Sequence, residues 1–112
     1  MLQGMVQSAE YIYNKLKSEN LLSLAYNHRP EAGTYKFPVV CTGHSLGGGT
    51  AAILTILLRD REVPDVTCFA FSPPGEMKRH NLETTTIQLI EKQPPTLIMI
   101  EMELNRFLTF VM

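Results

Sequence analysis

The chain has no tryptophan, only two cysteines, and no surplus of positive charge: ten Lys and Arg stand against eleven Asp and Glu. Each shortage excludes something. A net charge of −1 with no basic stripe argues against a nucleic-acid partner. Cys41 and Cys68 are too few for a disulfide framework and read as buried free thiols, since a free cysteine behaves as a small hydrophobe. The three histidines and two cysteines never fall at a ligand spacing such as C-x-x-C or H-x-x-x-H, so no metal is expected and no cofactor is called for. No apolar run approaches the ~20 residues of a membrane span. The start, Met1-Leu2-Gln3-Gly4, carries neither the basic region nor the apolar core of a signal peptide. There is no Asn-x-Ser/Thr acceptor either. The expectation is a cytoplasmic or membrane-associated chain.

What is present suits one small globular domain: 112 residues, 45% hydrophobic and 19% charged. Met5, Ala9, Ile12 and Leu16 recur at helical spacing and predict an α-helix over 5–19. Tyr11 and Tyr13 flank that face and are expected to pack. The polar stretch 27–36, with Pro30 and Gly33, reads as a surface loop. A nearly continuous apolar run over 37–42 predicts a strand covered on both faces, with Pro38 early enough to spare the ladder. A broad apolar helix is expected from about 46 to 60, and Val66–Phe71 reads as the next strand. Strand, helix and strand within about 35 residues make a right-handed βαβ unit, hence an α/β fold. Ser72-Pro73-Pro74-Gly75 then breaks the chain where a parallel sheet presents its ligand crevice. Residues 1–75 thus form the recognisable core. The tail 76–112 changes character: a polar stretch, an apolar patch at Ile87–Ile90, a possible strand over Thr96–Ile100, and a short helix or strand within Met102–Met112.

The chemistry concentrates at Gly43-His44-Ser45-Leu46-Gly47, a G-x-S-x-G pattern with a strand before it and a helix after it. That setting places the serine on a sharp, strained turn with its hydroxyl exposed, which makes Ser45 the candidate nucleophile. Gly47, Gly48 and Gly49 fall in the first turn of the helix, where each glycine costs roughly 1 kcal/mol relative to alanine. A run of three implies close packing of helix on strand. The backbone N–H of Leu46, at the positive end of the helix, is the candidate oxyanion donor.

A serine hydroxyl needs a base, and the base needs an orienting carboxylate. After Ser45 the chain offers only Asp60, Asp65 and His80. Asp60 closes the helix and Asp65 opens a strand, both expected far from the nucleophile. His80 follows the Pro-Pro-Gly turn. His28 lies upstream on the loop. His44 adjoins the serine, but neighbouring side chains of an extended segment point to opposite faces, so its role is structural.

From Gly4-Met5-Val6-Gln7-Ser8-Ala9-Glu10-Tyr11-Ile12, through Gly43-His44-Ser45-Leu46-Gly47-Gly48-Gly49-Thr50, to Cys68-Phe69-Ala70-Phe71-Ser72-Pro73-Pro74-Gly75, the sequence resembles the class 3 lipases, and most of all their sn-1-specific diacylglycerol lipase branch. The resemblance covers residues 4–75. It implies a partial α/β-hydrolase fold with parallel strands and flanking helices. It also implies a lipid ester substrate of the diacylglycerol kind, peripheral membrane contact, and Ser45 and Leu46 in the roles given above. The chain departs from the family at Leu2, where a histidine is usual, and nothing in 76–112 matches the family's acid and base. Lipid-ester hydrolysis, incomplete in the stand-alone chain, is therefore the first expectation. A non-catalytic fragment that binds lipid or a partner is the second.

Overall fold

The computed structural model describes residues 2–79, 86–90 and 108–111. Helix α1 (Leu2–Ser18) is followed by a short helix α2 (Leu21–Tyr26) and two single turns of 3-10 helix, Pro30–Ala32 and Thr34–Lys36. Strand β1 (Val39–His44), helix α3 (Leu46–Arg61) and strand β2 (Thr67–Phe71) form the βαβ unit. One turn of helix, α4 (Glu76–Arg79), and strands β3 (Ile87–Ile90) and β4 (Leu108–Val111) complete the described elements. The four strands run parallel in the order β3-β2-β1-β4.

The helical repeat sets how α1 packs. It buries Met5, Ala9, Tyr13 and Leu16, an i, i+4, i+8, i+11 face laid mainly against α3. Both tyrosines were expected to pack, and the structure separates them. Tyr13 is 5% exposed, whereas Tyr11 is 66% exposed, because it lies two residues round the helix. Ile12 is half-buried at the edge of the face. Tyr13 also ties the far ends of α1 and α3 together: its hydroxyl donates to Glu62 Oε1 at 3.4 Å, and the Arg61 guanidinium lies over its ring at 5.2 Å.

Alternation along the strands turns Val39 and Cys41, Cys68 and Ala70, and Ile87 and Leu89 towards the helices, where they join Ala51, Leu54 and Leu58 of α3. Helix α3 is buried around most of its girth, so it is apolar nearly all round. Its one fully buried polar side chain among the described residues, Thr55, donates to the Ala51 carbonyl at 2.7 Å and leaves no unmet hydroxyl proton. Cys41 and Cys68 are in-register neighbours, free and wholly buried, as expected.

Two elements past Gly75 join the sheet. The apolar patch Ile87–Ile90 is strand β3, hydrogen-bonded beside β2, and Leu108–Val111 pairs beside β1 at the opposite edge. The stretch Thr96–Ile100 lies outside the described residues. Glu76 at the start of α4 accepts the Leu2 N–H through Oε2 at 3.1 Å, which gives the first turn of α1 a capping carboxylate. Among the described residues no helix is long and apolar enough to cross a membrane.

Candidate active site

Strand β1 ends at His44, and α3 begins at Leu46, so a single residue makes the reversal. That residue is Ser45, held at φ 57° and ψ −122° with its side chain exposed. A non-glycine residue in this region costs about 1–3 kcal/mol and persists only where its surroundings over-determine it. The surroundings are visible. The Ser45 N–H donates to the Phe71 carbonyl at the end of β2, at 2.8 Å. The Ser45 carbonyl accepts the Gly49 N–H at 3.1 Å, the first hydrogen bond of α3. The turn is thus pinned on both sides, to the neighbouring strand and to its own helix.

The glycines after the serine bring the helix down onto that point. A Cβ on Gly48 would stand 3.1 Å from the Gly43 carbonyl oxygen, 3.2 Å from that of Phe71 and 3.3 Å from the Phe71 nitrogen. All three are backbone atoms with little freedom to move. A Cβ on Gly49 would run into the Met5 sulfur, so this glycine admits α1 rather than the strands. The first turn of α3 carries no acidic side chain to offset its positive end. The Leu46 N–H, at that end, is suited to a developing negative charge beside Ser45.

An apolar groove of about 540 Å³ adjoins the turn, lined by Gly4, Met5, Ser8, Leu46 and Thr50. Its walls are the first two turns of α1 and of α3. Leu46 is 53% exposed at its mouth. The α1 contribution was not singled out from the sequence. Gly4 within a helical pattern was the available signal, since a glycine there usually answers to close packing or open space. The structure shows open space, as a Cβ on Gly4 would meet nothing within 4 Å. A second cleft, of about 420 Å³, lies at the other end of the helices among Leu16, Leu22, Tyr26 and Val63, away from Ser45.

The possible partners of the serine fall where topology sends them. Asp60 lies fifteen residues past Ser45 along α3, about 22 Å at the helical rise. Asp65 precedes β2 at the amino edge of the sheet, close enough to Tyr26 to help raise that phenol's pKa, which burial raises most. His28 follows Asn27, which lines the far cleft together with Val63 shortly before β2, on that same side of the sheet. Across a six-residue strand that edge is about 20 Å from the carboxyl edge where Ser45 stands. None of the three reaches the serine. His80 lies outside the described residues. His44 is exposed, and strand alternation places it on the sheet face of Thr42, away from α3. The thiols are no alternative nucleophiles, because burial pushes Cys41 up to about 11 and Cys68 up to about 12, leaving both protonated at neutral pH. Among the described residues there is no group of three His, Cys, Asp or Glu that could hold a metal.

A parallel sheet with a strained serine between strand end and glycine-rich helix is the arrangement of an α/β-hydrolase, and the family described as lipase (class 3) matches residues 1–94. The chain belongs to that family. Human diacylglycerol lipase-alpha is 52% identical over 73 residues, which is 65% of this chain and 7% of that protein. Mouse diacylglycerol lipase-beta is 43% identical over 72 residues, 64% of this chain and 10% of the relative. The matched stretch therefore covers less than a tenth of the length of the alpha-type relatives. No solved structure matches it.

Proposed function

We propose that this chain carries the nucleophile-bearing core of a lipid-ester hydrolase acting on diacylglycerol-like esters, with Ser45 as nucleophile. The observation that carries the reading is the backbone of Ser45, a non-glycine residue at φ 57° that exposes its hydroxyl between β1 and α3. Attack of Ser45 Oγ on the ester carbonyl would form a tetrahedral intermediate, whose oxyanion the Leu46 N–H would stabilise. One such donor is worth about 2.7–4 kcal/mol in acyl transfer. The groove between α1 and α3 would take an acyl chain, since its lining is mainly apolar and it opens beside Ser45. Exposed Leu46 at the mouth suits peripheral contact with a lipid surface.

Turnover would also need a base to deprotonate Ser45 and an acid to orient that base, and among the described residues Asp60, Asp65 and His28 do not supply them. The distance of Asp60, Asp65 and His28 from the turn also supports a second reading, in which the chain by itself binds lipid without turnover. A serine-reactive alkyl phosphonate separates the two. An adduct on Ser45, absent from Ser45→Ala, supports the nucleophile. Liposome binding retained without any adduct supports the binding fragment.

A further inference from the structure

Besides Ser45, the described residues hold a second strained serine. Ser72 stands at φ 48°, in the left-handed region that side chains disfavour. It follows Phe71, the last residue of β2, whose carbonyl accepts the Ser45 N–H at 2.8 Å. The Ser72 N–H donates to the Ile90 carbonyl at the end of β3, at 2.6 Å. Gly48 of α3 lies against both the nitrogen and the oxygen of Phe71. The Phe71–Ser72 peptide is therefore where the serine turn, the first turn of α3 and the outer strand all meet.

We propose that Ser72 is a positioning residue for the turn that presents Ser45. The inference rests on Ser45 being the nucleophile only for its functional meaning; the geometry stands apart from that reading. The left-handed basin open to a residue with a side chain is small, whereas glycine roams over a much wider range. A serine held there confines the peptide plane that carries the Phe71 carbonyl, and so aims that carbonyl at the Ser45 N–H. Were the role only to let the chain turn away after β2, glycine would do so without strain. The strained residue trades ease of turning for a fixed acceptor.

Native-state amide exchange on the full chain tests this, read at Ser45 and, as a core reference, at Leu54. Ser72→Gly is expected to speed exchange at Ser45 about tenfold, leave Leu54 unchanged, and melt no lower than the parent. Ser72→Ala keeps a side chain in the same basin and is expected to speed exchange at Ser45 far less than Ser72→Gly does. Unchanged exchange at Ser45 in Ser72→Gly would overturn the proposal. Equal acceleration at Leu54 would overturn it too, by showing general loosening. Acceleration in Ser72→Ala as large as in Ser72→Gly would assign the effect to the hydroxyl and overturn the backbone account. Failure of the nucleophile reading would look different: no phosphonate adduct on Ser45, with its amide still protected.

Discussion

Replacing Gly48 probes how closely α3 must rest on the strand ends. In Gly48→Ala the new Cβ meets three backbone atoms at 3.1 to 3.3 Å, a few tenths of an ångström inside ordinary contact. Relieving that by a small lift of the helix costs about 1 kcal/mol, at the low end of overpacking. Alanine returns roughly 1 kcal/mol of helix propensity, so the net change is near zero. Gly48→Val adds two further carbons in the same confined space. It also surrenders about half of the propensity gain through its branched side chain. The expected loss is about 2–3 kcal/mol, which at a urea slope of about 1–2 kcal/mol/M lowers the midpoint by roughly 1–3 M. Far-UV circular dichroism follows the transition, because the chain has no tryptophan. A Gly48→Val midpoint equal to that of Gly48→Ala would refute the reasoning, since it would mean that α3 does not bear on Gly43 and Phe71.

The buried thiols give a pH signature. Their folded values of about 11 and about 12 lie above the ordinary 9.0, so stability is intact below pH 9 and falls as the solution passes from 9 towards 12, where only the unfolded chain ionises freely. Thermal melts of Cys41→Ala and Cys68→Ala should show a shallower alkaline decline than the parent. For the groove, Gly4→Phe should slow labelling by a long-chain alkyl phosphonate about tenfold and spare a butyl one, since ~1.4 kcal/mol of lost apolar contact is a tenfold effect. The fold should survive, because a Cβ at Gly4 meets nothing within 4 Å.

Much of this architecture was legible because local signals were strong. Periodicity marked α1, the apolar run marked β1, and the motif fixed the β1–α3 boundary to a single residue. The misjudged Tyr11 shows the limit of that reading. It stands beside an apolar helical face in sequence, but the contact with α3 selects Tyr13 instead, a tertiary choice that spacing alone does not make. Strand β3 is four residues long, too short for a pattern, and becomes a strand only through its ladder with β2. Strand β4 pairs with β1 across a separation of some seventy residues, and no local feature of Leu108–Val111 reports that partner. The site was half legible for a related reason. Ser45 and Leu46 are contiguous and carry a motif. The groove instead joins Gly4 and Ser8 of one helix to Leu46 and Thr50 of another, and only the packing of α1 on α3 brings them together.

The central claim is that the turn at Ser45 is built to present a nucleophile. Incubating the full chain with an excess of long-chain alkyl fluorophosphonate, then mapping adducts by peptide mass spectrometry, tests it most directly. The turn and the Leu46 N–H can act without the base, so the account predicts a slow, single adduct on Ser45 that disappears in Ser45→Ala. An unmodified Ser45 after prolonged incubation, or modification spread over other serines at equal rates, would contradict it.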